Sequence, residues 1–217
     1  MNQHIEELYR TLEKSQNKGT LFILDGASCS GKTSIRNDVL QDKSLNLEYV
    51  PRYCTRSVRE GEIPGEEYIF LTQKDFDTLE KSGDLIESRH FEFGMSYGLP
   101  WKETIQTLIQ GKNALAIINL GNILKIKQVL PHAVTILIDA PEEIIKNRLL
   151  RRGVNTKEQI EERLFNARTV HELRKYYHYV INNNDGLYEC SIQFFREIVE
   201  ANSRKCLRIQ SLVENDS

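Results

Sequence analysis

Residues 26–33 read Gly26-Ala27-Ser28-Cys29-Ser30-Gly31-Lys32-Thr33, a full match to G-x-x-x-x-G-K-[ST]. An apolar run of strand length, residues 20–24, precedes it, and a helical stretch, residues 34–40, follows. Strand, loop and helix in that order are the context in which such a loop binds phosphate. Glycines let the backbone turn so that successive N–H groups point inward at phosphate oxygens. The helix behind adds its positive N-terminal end. In this geometry Gly26, Ala27, Ser28, Cys29, Ser30 and Gly31 cradle the phosphates of ATP. Lys32 reaches the β- and γ-phosphates, and the Thr33 hydroxyl joins the shell of a magnesium ion. Cys29, close to a helix N-terminus where thiol pKa values tend to fall, is either a small loop residue or a redox-sensitive one.

Such a loop needs a parallel sheet behind it, and 217 residues suffice for one substantial α/β domain. Further strands are expected at residues 47–50, 114–120, 133–138 and 179–181, mostly separated by helical patterns. That alternation predicts a three-layer fold with a mainly parallel sheet and helices on both faces. Ile5, Leu8, Tyr9 and Leu12 recur at helical spacing, so residues 1–18 are expected to add an amphipathic helix. Residues 52–101, rich in Gly, Tyr, Arg and Glu, break the rhythm and are expected to form an insertion carried on the core. A helix is predicted over 141–152, with Gly153 as its stop, and a second from Asn155 with Glu158 completing a capping box. The tail, residues 202–217, is expected to be loosely held.

A formal net charge of −2 argues against a nucleic-acid partner or an anionic membrane. No run has the apolar length of a membrane span, and the N-terminus is polar. The four cysteines are scattered without metal or redox spacing, which fits a reduced, cytoplasmic chain. Phosphate binding must therefore come from locally placed cations. Transfer between two phosphates brings like charges together, and at about 4 Å and an effective dielectric near 20 each unit pair repels by roughly 4 kcal/mol. Two groups answer that need. Arg56 and Arg59, in the run Thr55-Arg56-Ser57-Val58-Arg59-Glu60-Gly61-Glu62, are spaced to fork onto one phosphate, with Tyr68 and Tyr97 to complete its hydrogen bonds. Arg148, Arg151 and Arg152, with Arg163 and Arg168 beyond, form either a solvated basic face or a lid over ATP.

These pieces, in this order, resemble the guanylate kinase family from about Leu21 to Val199. The resemblance rests on the phosphate loop, T-R-x-x-R-x-G-E at Thr55 to Glu62, Gly65, Tyr68, Phe76, Glu87, Tyr97-Gly98, Arg148, Arg152-Gly153 and Arg163-Leu164. It implies ATP-dependent phosphoryl transfer to a nucleoside monophosphate, with GMP or dGMP as acceptor. Arg56, Arg59, Tyr68 and Tyr97 would hold the acceptor phosphate, and Glu87 would accept hydrogen bonds from guanine. Arg148, Arg152 and Arg163, in a lid spanning about residues 146–170, would act with Lys32 around the transferring group. Asn183 would contact the ATP purine.

Two departures bear on the base. Leu99 stands where the family usually has Ser or Thr, and Asn119 where it has an aspartate, with Ile117 near a further acidic position; the Asn119 amide can still accept a hydrogen bond, so the resemblance keeps it among the acceptor-binding residues. The related ribose bisphosphate phosphokinases share the run Arg52-Tyr53-Cys54-Thr55-Arg56 in its R-Y-x-T-R form, the apolar residue after Tyr-Gly and an asparagine near Asn119. Retained Arg59 and Tyr68 fit the nucleotide clamp better. A guanylate-kinase-like binding module without catalysis is the remaining alternative, and the intact Gly31-Lys32-Thr33 speaks against it.

Overall fold

The structure is a computed structural model that describes residues 2–59, 61–91, 94–118, 123–153 and 155–214, the last eleven by their backbone alone. In chain order, α1 (Gln3–Lys14) precedes β1 (Leu21–Asp25), the phosphate loop and α2 (Lys32–Gln41). After β2 (Leu47–Tyr49) come β3 (Arg52–Cys54), β4 (Tyr68–Phe70), α3 (Gln73–Ser82), β5 (Leu85–His90) and β6 (Ser96–Pro100). The chain then runs through α4 (Trp101–Ile109), β7 (Asn113–Ile117), α5 (Ile123–Val129), β8 (Val134–Asp139) and α6 (Glu142–Arg152). It closes with α7 (Lys157–Glu172), β9 (Tyr179–Asn182) and α8 (Tyr188–Glu214).

Strands β2, β7, β1, β8 and β9 form one sheet in that order, with every pairing parallel. Its central strands β7, β1 and β8 are buried along their whole length because both faces are covered. Leu21 and Ile23 of β1, with Ala114 and Ala116 of β7, pack toward Ile5, Leu12, Ile105, Leu108 and Ile126 from α1, α4 and α5. The alternate residues Phe22, Leu24, Leu115 and Ile117 pack toward Ile35 and Val39 of α2 and Ile192, Phe195 and Ile198 of α8. This is the period-two alternation of a strand read against helices on each side. Helix α1 is capped by Asn2, whose side chain accepts from the Ile5 N–H at 2.9 Å. Its Tyr9 ring meets Trp101 of α4 edge-on at 5.9 Å. None of the helices of the described residues is long and apolar enough to cross a membrane.

The region at 52–101 carries its own four-stranded sheet, ordered β4-β3-β6-β5, with α3 against one face. A Cβ at Gly98 would lie 2.8 Å from the Leu85 side chain and 3.2 Å from Phe76, so β6 passes tightly beneath that helix.

One local expectation shifts. The capping box before α7 is Thr156 with Gln159, not Asn155 with Glu158: the Thr156 hydroxyl accepts from the Gln159 N–H, and the Gln159 amide oxygen accepts from the Thr156 N–H. The threonine one residue on is the better-placed oxygen, and glutamine serves as the returning partner as well as glutamate would. Helix α8 runs on to Glu214. Asn202 itself donates to the Tyr179 hydroxyl at 3.1 Å.

Three elements are tied at the N-terminal edge of the sheet by one buried amide. The Asn113 side chain accepts from the Thr20 N–H at 3.0 Å and donates to the Leu45 carbonyl at 2.9 Å and the Ser203 hydroxyl at 3.0 Å. Removing it strands buried backbone groups. Asn113→Ala is expected to lower the unfolding free energy by about 1–3 kcal/mol in urea titration, with an unchanged denaturant slope.

Candidate functional site

The phosphate loop leaves β1 at buried Asp25, one of whose carboxylate oxygens accepts from the Gly26 N–H at 2.7 Å. The other accepts from the buried Tyr177 hydroxyl at 2.6 Å, so the strand end is held from both sides. Gly26 (φ 150°) and Gly31 (φ 107°) take backbone conformations that a side chain would strain. Each also lacks room. A Cβ at Gly26 would lie 2.3 Å from the Ile138 carbonyl oxygen, and one at Gly31 would lie 2.1 Å from the Asn183 amide nitrogen.

Lys32 opens α2 and folds back over the loop, donating to the Gly26 and Ala27 carbonyls at 2.6 and 2.8 Å. Burial beneath the loop lowers its pKa to about 8, against the opposing pull of Asp25 and Cys29. Arg148 of α6 braces the other side. Its guanidinium donates to the Cys29 carbonyl at 3.2 Å, the Asn183 carbonyl at 2.9 Å and the Asp185 carboxylate at 2.8 Å. Arg163 of α7 donates to the Ser28 hydroxyl at 2.6 Å. Helices α6 and α7 thus both reach the loop. Asn183 is buried, and its amide donates to the Ser30 carbonyl at 2.7 Å.

A cavity of about 740 Å³ lies over this arrangement, lined by Lys32, Thr33, Arg148, Arg152 and Asn183 among others. Arg152 and Arg151 border it from the exposed last turn of α6. Arg168 is instead spent on Glu142 in an exposed pair. Asp185, Tyr188 and Glu67 also line the cavity, and sequence reasoning had not singled them out.

The second group gathers on the inserted sheet. Arg56 follows β3 and donates to both oxygens of Glu62, at 2.6 and 2.5 Å, and to the Tyr97 hydroxyl at 3.1 Å. The fork is bidentate and charge-assisted, and it holds the Glu62 carboxyl below its usual range. The Arg56 guanidinium also lies over the rings of Tyr68 and Phe70, at 4.9 and 5.4 Å. The Arg59 side chain is exposed, while its backbone N–H donates to Glu62 at 2.8 Å. Thus Arg56, Tyr68 and Tyr97 are brought together, and Arg59 lies at their rim.

Glu87 is buried and ion-paired with Arg52. Leu99 is also fully buried, packed in the core cluster with Val50 and Ile118. Asn119 lies outside the described residues. Two arginines beyond the expected set therefore face this region. Arg52 sits on β3, and Arg36 of α2 pairs with Glu67 at 2.6 Å and lies over the Tyr49 ring at 4.7 Å. Glu67 joins the halves of the site: it lines the cavity above Lys32 and immediately precedes Tyr68. The sequence signal for Arg52 was its place in the R-Y-x-T-R run, whereas Arg36 in a helix carried none.

The family model described as guanylate kinase matches residues 18–202. The fold is similar to the crystal structure of guanylate kinase from Anaplasma phagocytophilum, with 26% sequence identity and a TM-score of 0.68 over 86% of this chain and 87% of that one. With the phosphate loop, the parallel sheet and the inserted arginine-bearing sheet all in place, the chain belongs to the guanylate kinase family.

Proposed function

We propose that the chain transfers the γ-phosphoryl group of ATP to a nucleoside monophosphate, with GMP or dGMP as the leading acceptor. The observation that carries this reading is a pair of cation groups linked through Glu67: Lys32, Arg148 and Arg163 around the phosphate loop, and Arg56 with Tyr68 and Tyr97 on the inserted sheet. Glu67 borders the first and adjoins the second. A binding module has no need of cations on both sides of a reaction centre.

In this reading an oxygen of the acceptor phosphate attacks the γ-phosphorus of ATP in line. The bond to the β,γ-bridging oxygen breaks, and ADP leaves. No covalent enzyme intermediate is required, so the residues act by positioning and by stabilising charge. Lys32 exchanges two carbonyl oxygens of the loop for phosphate oxygens. Arg56 exchanges Glu62 for the acceptor phosphate, with Arg59 closing from the rim. Helices α6 and α7, over about residues 146–170, form the lid that brings Arg148, Arg152 and Arg163 onto the transferring group. Asn183 fixes the loop beside the purine end of the cavity.

A magnesium ion suits the donor set. Thr33 borders the cavity beside Lys32, and the described residues contain no group of three acidic, histidine or cysteine side chains that would hold a metal apart from the nucleotide. The Thr33 hydroxyl, the phosphates and water would hold it, and it would neutralise charge on the phosphate oxygens.

Lys32→Ala is expected to abolish ADP release while circular dichroism and the thermal midpoint stay close to the parent; undiminished turnover would exclude this mechanism. Arg56→Ala should raise the acceptor KM much more than the KM for ATP, and equal effects on both would place Arg56 outside the acceptor site. The lowered Lys32 pKa sets a further test. Below about pH 8 the ammonium is charged and binds phosphate; as pH rises through 8 the ligand-free protein loses that proton. ATP affinity measured by calorimetry should therefore decline above pH 8, and the decline should vanish in Lys32→Met.

A further inference from the structure

Strands β3 and β6 pair antiparallel, and their pairing ends where the cluster of Arg56, Tyr68 and Tyr97 begins. Cys54 lies opposite Tyr97, so Thr55 lies opposite Ser96. The Thr55 N–H donates to the Ser96 carbonyl at 3.1 Å, and the Ser96 N–H donates to the Thr55 hydroxyl at 2.9 Å. This last rung closes through a side chain, and the chain then leaves the sheet to place Arg56. Tyr97 follows Ser96 directly. One rung of the ladder thus precedes both Arg56 and Tyr97, whose side chains meet at 3.1 Å.

Side chains of a strand alternate in direction, so Ser96 and Gly98 share one face of β6 and Tyr97 points from the other. Gly98 lies against Phe76 of α3, and Ser96 lies against Gln73 at the start of the same helix. Ser96 is 2% exposed, and its hydroxyl is the centre of a network. The Gln73 amide donates to it at 3.2 Å and to Asp77 at 2.7 Å. His90, directly opposite on β5, holds its Nδ1 2.9 Å from the same hydroxyl. The His90 Nε2 faces the Glu80 carboxylate of α3 at 3.0 Å, and the ring meets Phe76 edge-on at 5.8 Å. Hydrogen bonds from Ser88 and His90 hold the Glu80 carboxyl below its usual range, so it faces the ring as an anion. Nε2 must then carry a proton. In the neutral ring Nδ1 is the acceptor, the Ser96 hydroxyl donates to it, and the serine oxygen accepts from Gln73.

We propose that Ser96 and His90 are positioning residues of the acceptor site, which through the Thr55–Ser96 rung fix where Arg56 and Tyr97 stand. This rests on the acceptor reading given above. The Ser96 side chain points away from the face that carries Tyr97, so it acts through the backbone rather than on a substrate. Strand β3 has three residues and few other rungs to fix its end. The network joins α3, β5 and β6 at one buried oxygen, and linked hydrogen bonds of this kind hold a strand end more firmly than backbone pairing alone. Charge-assisted forks are directional, so a small displacement of Arg56 weakens its hold on a phosphate.

The test separates the two nitrogens of His90. An asparagine side chain places a polar atom where Nδ1 stands and none at Nε2; a glutamine side chain does the reverse. Calorimetric binding of GMP to the full chain without ATP, and the KM values for GMP and ATP, are measured for Ser96→Ala, His90→Gln and His90→Asn. Ser96→Ala and His90→Gln should weaken GMP binding and raise its KM about three- to tenfold, with the KM for ATP within about twofold of the parent. His90→Asn, which keeps the contact with Ser96, should hold GMP within about twofold of the parent. The His90 side chain is 51% exposed and tolerates both replacements, so that pair decides the matter if Ser96→Ala fails to fold. Equal effects of the two His90 replacements, equal shifts in both KM values, or an unchanged GMP KM in Ser96→Ala beside normal parent turnover would overturn the proposal. GMP binding that weakens as expected without any ADP release would overturn the transfer reading and leave the positioning role standing. A parent that neither binds GMP nor releases ADP with any nucleoside monophosphate would overturn both.

Discussion

Concentrating cations in a cleft is unfavourable unless each has a partner before the substrate arrives, and the site is organised around that constraint. Lys32 rests on two loop carbonyls, Arg148 on Asp185 and loop carbonyls, and Arg163 on Ser28. On the inserted sheet, Arg56 rests on Glu62, Arg52 on Glu87 and Arg36 on Glu67. Each partner is an oxygen that a phosphate or carbonyl oxygen of a ligand can replace. Binding then becomes an exchange of hydrogen bonds rather than the first neutralisation of buried charge, and its net favourability comes from the higher charge of the incoming phosphates. The lowered Lys32 pKa reflects its burial: carbonyl oxygens satisfy its hydrogen bonds but do not neutralise its charge.

The two sheets divide the work. The parallel sheet, covered on both faces, is rigid and ends at Asp25, where a carboxylate pinned by Gly26 and Tyr177 sets the start of the phosphate loop. The inserted sheet carries Arg56, Tyr68 and Tyr97 as one cluster, with Phe76 of α3 packed against Gly98 of β6. Contact between the two sheets runs through the apolar cluster that holds Ile86 and Leu99 and through the Arg36–Glu67 pair, so α2, which begins at Lys32, also touches the inserted region.

Much of the architecture was legible because its signals are local. The phosphate loop is eight consecutive residues; the apolar runs at β1, β7 and β8 reflect burial on both faces; Gly153 ends α6 in a left-handed conformation, as a stop residue should. Boundaries moved by one to three residues because apolarity does not mark where backbone pairing ends. The capping box moved by one residue because Asn155 and Thr156 both carry suitable oxygens, and only the helix geometry chooses between them. The strands of the insertion were not separated beforehand. They are short, interrupted by Gly and Pro, and lined with charged residues, so they lack the alternation that reveals longer strands.

The sequence by itself determined the phosphate loop, the parallel α/β core, the family, and the arginines and tyrosines eligible to bind phosphate, since each follows from contiguous residues or from motifs in a set order. Only the tertiary structure decided how those groups are paired. Arg52 and Glu87 are 35 residues apart and meet because β3 and β5 both flank β6. Arg163 reaches Ser28, and Asn183 closes on Gly31, across more than a hundred residues of chain. Pairing of this kind depends on sheet order and on the close approach of distant backbones, which the pattern of apolar and polar residues along the chain does not encode.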